Sequence, residues 1–505
     1  MDIKLNLNTK DFSGKDLIVV SAFQKTVEAK GKKKETTEVV NTHWSKELKE
    51  AFLAIKSSKN YKASLGERYF FALQDGTEVC VLGLGDKKAL DLEKIRKEFA
   101  NFYKAVSSKY ADVSVAFDGF VKGSKEDSLK AIVESLLMTA YSFDTYLAKK
   151  SNPTLKTVTF DSAEKGTSKK KFQAAIDEAT TVTSAINFAR DLVNEPPNVL
   201  RSTEYAKRIK KDVESIKGVK CKILGNKELK KEKMNLFLSV NAGSAYEAQL
   251  VHLTYTPKKV TKNTKHIAFV GKGLVFDTGG YSLKPGGSMV NMKFDMAGSA
   301  TVYAAFKAAA EMGLNVKMTC ILGMTDNAVN SHATMPDAIV KARNGKTVEI
   351  LNTDAEGRLV MADCLDYACD LKPDALIDSA TLTGACLIAL GTEVCGLMGN
   401  DQKLQDKLLK SAKNADEYMW QLPVIPEWHK DMKSNIADLK NIGGSRFGGT
   451  AKAAAFLSEF IKNDVAWAHL DIAGVGDSQS HLPYCPSKGA SGLVIRSLVD
   501  FLKNS

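Results

Sequence analysis

No window of the 505-residue sequence comes near the run of about 18 uninterrupted apolar residues that a membrane-spanning helix needs. The opening stretch MDIKLNLNTKDF has no apolar run behind a basic end, so no secretory signal is expected. Eight cysteines are present, Cys80, Cys221, Cys320, Cys364, Cys369, Cys386, Cys395 and Cys485, but no two form a CxxC pair. That excludes a zinc-finger spacing and argues against a disulfide frame. Several lie in apolar segments and read as reduced core cysteines of a cytosolic, cytoplasmic protein. Two glycine-rich runs, GKGLVFDTGG and GGSRFGGTAKAAAF, raise the idea of a dinucleotide or phosphate binder. Neither contains G-x-G-x-x-G, and the chain has no G-x-x-x-x-G-K-[ST]. Internal repeats and extended low-complexity tracts are also missing.

What is present fits a globular protein of more than one domain. Hydrophobic residues make up 44% and charged residues 26% of the chain. Its length exceeds what one ordinary core serves. The formal charge of +12 is uneven. Residues 1–250 carry 44 Lys and Arg against 33 Asp and Glu, and the remainder 27 against 26. Much of the excess lies in 201–234, as in KRIKKDVESIKGVKCKILGNKELKKEK. An acidic partner such as nucleic acid is one reading. With no helix-turn-helix, RNP or zinc-finger signature beside it, a solvated basic face is the reading we prefer.

Strand and helix signals alternate along the chain. In the first 160 residues, DLIVVSAF, RYFFAL, EVCVLGLG, DVSVAF and TLKTVTF read as strands. LEKIRKEFANFYKAV and SLKAIVESLLMTAYSFDTYLA carry apolar residues at helical spacing, and GKKKE at 31–35 reads as a hairpin tip or loop. A long helical pattern, KFQAAIDEATTVTSAINFARDLVN, runs to the helix-breaking EPPN at 195–198. From about 200 the alternation resumes, with strands at VHLTYT, KHIAFVG, VKMTCILGM, ALIDSATL and WAHLDIAG and a last helix in SGLVIRSLVDFLK. The expected fold class is therefore α/β in two domains. Residues 1–165 form a small N-terminal α/β domain, 166–195 a connecting helix, and 196–505 a larger C-terminal α/β domain.

The chemistry-bearing residues crowd into two stretches. NTDAEGRL, residues 352–359, sits between VEIL and LVMADCLDYA, a pattern of buried strand, tight loop and helix. It carries Asp354, Glu356 and Arg358. The stretch 271–299, GKGLVFDTGGYSLKPGGSMVNMKFDMAGS, carries Lys272, Asp277, Lys284 and Asp295. Charges at strand-to-helix loops of an α/β sheet lie where ligands usually bind. Taken singly, each has a plainer reading: Asp277 as a turn cap, Asp295 as a helix N-cap, the lysines as surface residues. Taken together, four carboxylates in one pocket repel and cannot all ionise without compensation. Divalent cations would neutralise them better than the lysines and arginine alone. With no histidine in either stretch, oxygen ligation of Mg, Mn or Zn is expected rather than a histidine zinc site. A pair of ions sharing bridging carboxylates activates water and polarises a carbonyl, which is hydrolytic chemistry. His429, in PEWHKDMKSNIADLKN, has no partner acid or nucleophile pattern beside it in sequence, and His469, in WAHLDIAG, reads as a satisfied core residue.

These residues resemble those of the leucyl aminopeptidases, a cytosol-type, two-metal, hexameric family. The likeness rests on NTDAEGRL together with VGKGLVFDTGGYSLKP, MKFDMAGSA, SATLTGA, AAAFLSEF and WAHLDIAG in the family's order and spacing, and on ARDLVNEPPN before them. It is strong from about 186 to 505; residues 1–160 resemble the family's N-terminal domain in class and length. The resemblance implies a mixed central sheet flanked by helices in the catalytic domain, and a homohexamer acting on peptides. The activity implied is removal of N-terminal residues, with leucine and other bulky apolar side chains preferred. Lys272, Asp277, Asp295 and Glu356 would bind the tighter metal, and Asp277, Asp354 and Glu356 the exchangeable one. The ions would be Zn or Mn, with Mg or Co as further options. Lys284 would stabilise the oxyanion, and Arg358 would hold a bicarbonate ion that relays protons. Met292, Thr381 and Gly384 would line the pocket for the first side chain, with plain core packing as the other reading of Met292. All seven catalytic positions are filled, which argues against an inactive paralogue. Where the family often has DSGG and DMGGAA, this chain has DTGG and DMAGSA, which touches substrate preference at Ala297 more than mechanism.

Overall fold

The computed structural model describes residues 1–9, 15–29, 32–38, 46–58, 61–462 and 464–505. The chain divides into two compact units, residues 1–183 with 481–485, and residues 184–480 with 486–505.

The first unit is built on one sheet. Six strands lie in the order Asp2–Leu7, Thr157–Ser162, Asp112–Ala116, Leu17–Ala29, Glu78–Asp86 and Arg68–Ala72. A further strand, Lys32–Glu38, pairs antiparallel with Leu17–Ala29. The GKKKE segment thus begins outside the described residues, and its 32–35 portion is strand rather than loop. The helix Leu92–Val106 starts where Asp91 accepts the Lys94 N–H, and it buries Ile95, Phe99, Phe102 and Val106 at helical spacing. The next helix spans Lys125–Thr139 and stops short of the apolar pattern that runs to 148. Tyr146 and Leu147 are exposed, so no buried stripe exists there to sustain further turns.

The helix Lys169–Asn194 leads into the second unit. There an eight-stranded sheet runs in the order Met419–Gln421, Cys395–Gly399, Trp467–Asp471, Ala375–Ala380, His266–Asp277, Lys317–Asn327, Gln249–Tyr255 and Val219–Leu224. The four central strands are parallel and their flanking neighbours antiparallel, so the sheet is mixed. The His266–Asp277 strand is buried almost throughout, as a parallel strand covered on both faces must be. The helix Ala297–Glu311, rich in alanine, is buried nearly all round. It approaches the sheet so closely that a Cβ on Gly298 would lie 2.2 Å from the Ser379 carbonyl oxygen. VEIL forms the strand Thr347–Ile350, but not in the main sheet. It belongs to a separate three-stranded sheet with Ala338–Lys341 and Leu439–Lys440. The NTDAEGRL loop therefore comes to the large sheet's edge from a different sheet.

Candidate metal and catalytic site

Lys272 is the centre of the arrangement. It projects from inside the His266–Asp277 strand and is only 3% exposed. Its Nζ lies 2.8 Å from Asp295 Oδ1 and 2.9 Å from Glu356 Oε1, and donates to the Thr381 carbonyl at 3.0 Å. Burial pushes this ammonium toward its neutral form. The charges of Asp295, Glu356 and Asp277 outweigh that and hold its pKa above the usual lysine value.

Lys284 makes a second clamp. Its Nζ is 2.8 Å from Asp277 Oδ2 and 2.5 Å from Asp354 Oδ1. Here too burial opposes the charge, and Asp277 and Asp354 outweigh it. Two lysines thus join four carboxylates in two pairs.

The four carboxylates come from three places in the chain: a strand end, a 3-10 helix and the loop that carries both Asp354 and Glu356. Asp277 ends its strand; its Oδ1 accepts the Gly279 N–H and the Asn327 Nδ2, each at 2.9 Å. Turn capping is therefore part of its role, with Oδ2 turned to Lys284. Asp295 lies in the short 3-10 helix Met292–Met296 and does not cap the helix that follows. Its Oδ1 accepts from Lys272 and from Thr381 Oγ1 at 2.8 Å, while Oδ2 is buried without a partner among the described residues. Glu356 stands just before the helix Gly357–Cys369. Gly357 lets it approach: a Cβ there would fall 2.5 Å from Lys272 Cε. Burial, reinforced by Asp277, raises the Glu356 pKa, and burial likewise raises those of Asp295 and Asp354.

Carboxylate oxygens of Asp277, Asp354 and Glu356 lie within 4.8 Å of one another. Three converging acids, a fourth with an orphaned buried oxygen, and no histidine make a donor set suited to hard or borderline divalent cations. The residues present fit such ions.

Arg358 lies on the first turn of the same helix. Its Nη1 donates to the Asn441 carbonyl at 2.7 Å, and its Nε is buried without a partner among the described residues. Burial pushes its pKa down to about 10, against the pull of Glu356 and Asp471. Thr381 joins the cluster through Asp295 and Lys272. Met292 opens the 3-10 helix that carries Asp295 and is half-buried. Gly384 starts the helix Gly384–Leu390, where a Cβ would meet nothing. Among the described residues no hydrogen bond ties Met292 or Gly384 to the cluster.

Three positioning residues escaped sequence reasoning. Asn327 bonds both Asp277 and the Thr353 carbonyl, the latter at 3.0 Å. Thr353 Oγ1 donates to the Gly279 carbonyl and accepts the Ser282 N–H, locking the two acidic loops together. Asn441 holds both Arg358 and, through Nδ2, the Asn352 carbonyl. The only sequence signal for Asn327 was its place at the end of an apolar strand. His429, which shows no catalytic pattern in sequence, pairs with an acid 30 positions away: its Nδ1 is 3.0 Å from Glu459 Oε1.

A mixed sheet with one strand, a 3-10 helix and two loops bringing lysines and converging carboxylates together makes the kind of site that suits divalent metal ions. Comparison with known proteins makes this specific. Residues 187–499 match the catalytic domain of the cytosol aminopeptidase family, and residues 19–150 match that family's N-terminal domain. A probable cytosol aminopeptidase of Bdellovibrio bacteriovorus is 38% identical over 86% of this chain and 87% of its own length. Another, from Campylobacter jejuni, is 38% identical over 89% of this chain and 95% of its own. The solved structure of the bottromycin maturation enzyme BotP in complex with Mn aligns with a TM-score of 0.83 and 28% identity, covering 97% of this chain and 99% of that one. The chain belongs to the cytosol aminopeptidase family, whose members are metallo-exopeptidases.

Proposed function

We propose that this chain removes N-terminal residues from peptides, preferring leucine and other bulky apolar side chains, with two divalent ions per subunit. The observation that carries the reading is the pair of lysine clamps around four carboxylates. So dense a set of buried acids is stable only with cationic compensation.

Lys272, Asp277, Asp295 and Glu356 would hold the tighter ion, and Asp277, Asp354 and Glu356 the exchangeable one. The ions, Zn or Mn in the first instance, supply Lewis acidity and a water acidified toward neutral pH. Lys272 would give up its proton as a ligand, because cations beside it favour the neutral amine. Lys284, whose side chain is partly exposed, would remain charged and stabilise the oxyanion that forms on the peptide carbonyl. Arg358 would orient a bicarbonate ion, whose planar oxygens suit the guanidinium fork, as proton relay. Met292, Thr381 and Gly384 would bound the first side chain; Met292 offers an adaptable apolar wall. The domain limits 1–165, 166–195 and 196–505, a homohexameric assembly and a cytoplasmic location belong to the same reading. The relatives' printed names and the lack of any helix long and apolar enough to cross a membrane among the described residues support the last.

A rate profile over aminoacyl anilides, with Zn, Mn and Mg supplied separately, tests it. The leucyl substrate should be cleaved fastest with Zn or Mn. A flat profile, or faster cleavage of acidic or glycyl substrates, would remove the proposed specificity.

A further inference from the structure

Among buried polar groups unused by the proposed chemistry, one set lies in the middle of the large sheet. Asp378 faces Val270 on one neighbouring strand and His469 on the other. In a parallel sheet such a row shares one face, and residues two further along return to it. Lys272 and Asp471 therefore lie one row nearer the carboxyl ends, about 6–7 Å on. The Asp378–His469 pair sits one row beneath the lysine that joins Asp295 to Glu356.

Both residues are fully buried. Asp378 Oδ2 accepts the Trp467 indole N–H at 2.7 Å, and Oδ1 lies 2.5 Å from His469 Nδ1. A carboxylate can only accept, so Nδ1 carries a proton and the ring orientation is fixed. The other nitrogen, Nε2, is buried with no partner among the described residues. A buried ion pair is a poor stability device, and an unpaired buried nitrogen costs more still. His469 is thus not the satisfied core residue that its apolar sequence setting suggests.

Arg358 has a matching deficit. Its Nη1 is held by Asn441, while its Nε lacks a partner among the described residues. It follows Gly357, which abuts Lys272, so the helix start lies over this same sheet face. Burial lowers the His469 pKa, Asp378 and Asp471 outweigh it, and Arg358 is near enough to oppose them.

We propose that Asp378 and His469 are positioning residues for Arg358: His469, oriented by Asp378, offers Nε2 to the small polar group that Arg358 Nε also engages, and so sets the direction of the guanidinium. This rests on the reading that Arg358 serves proton relay.

The test is a double-mutant cycle in the Mn-loaded full-length enzyme. We expect His469→Phe to lower kcat about tenfold, in the range seen when a residue orienting a functional group is lost. KM and Mn stoichiometry should stay within about twofold, and the added bicarbonate response should shrink. In the Arg358→Ala background the same substitution should cost nothing further. Should His469→Phe fail to fold, Asp378→Asn enters the same cycle with the same expectation. Losses that multiply in the double variant, or a loss of bound Mn instead of kcat, overturn the positioning role alone. An unchanged kcat in Arg358→Ala removes the role of Arg358 and this proposal with it.

Discussion

At the scale of single residues, the site's behaviour follows from how its charges are compensated. Glu356 is 2% exposed, touches Lys272 and lies within reach of Asp277 and Asp354. Replacing it by glutamine keeps the shape and removes the charge. Glu356→Gln should therefore lose most activity and part of its bound metal, read by metal analysis beside kcat. Full metal content with near-parental turnover would contradict a bridging role. Lys284→Met should lower kcat by about 10²–10³, the usual effect of deleting one oxyanion donor. Its leucyl-anilide KM should change far less, and a change confined to KM would contradict the assignment. The residues of both stretches were legible because acids and lysines beside apolar strands are unusual in sequence. Asn327, Thr353 and Asn441 were not, because each acts through contacts far apart in the chain, 50 positions for Asn327 with Asp277 and 83 for Asn441 with Arg358. An asparagine at a strand end looks the same whether or not it braces a carboxylate.

At the scale of elements, three deliver the four carboxylates: the His266–Asp277 strand, the 3-10 helix before Ala297, and the loop ahead of the Gly357–Cys369 helix. The last junction is tightest. A Cβ on Gly357 would meet Lys272 Cε at 2.5 Å and Nζ at 2.6 Å, so Gly357→Ala must push the lysine aside or lift the helix start. We expect that variant to remain folded by circular dichroism and to bind metal about tenfold more weakly; calorimetric titration with Mn checks it, and unchanged affinity would show that the contact is easily relieved. Strand and helix types were readable from period alone. That the NTDAEGRL strand belongs to a second, three-stranded sheet was not, since nothing in VEIL distinguishes one sheet from another; its pairing with Leu439–Lys440 is long-range. The helix end at Thr139 was misjudged because apolar letters at 146 and 147 do not reveal that they face solvent.

At the scale of the whole molecule, the α/β class and the family were both legible, the first from alternation and the second from motifs whose spacing no isolated acid pair shares; the mixed sheet followed from the family resemblance. The positive charge of the first 250 residues is, on our proposal, solvated surface charge and not a nucleic-acid site. Duplex DNA should accordingly show no mobility shift with the protein at physiological salt, and a shift that weakens steeply as salt rises would contradict this. The most direct test of the central claim, that cations neutralise the buried carboxylates and enable hydrolysis, is leucyl-anilide turnover before and after chelation, with bound metal measured in parallel. The account predicts that turnover falls with metal content and returns when Zn or Mn is restored. Equal turnover in the metal-stripped and metal-loaded protein would contradict it.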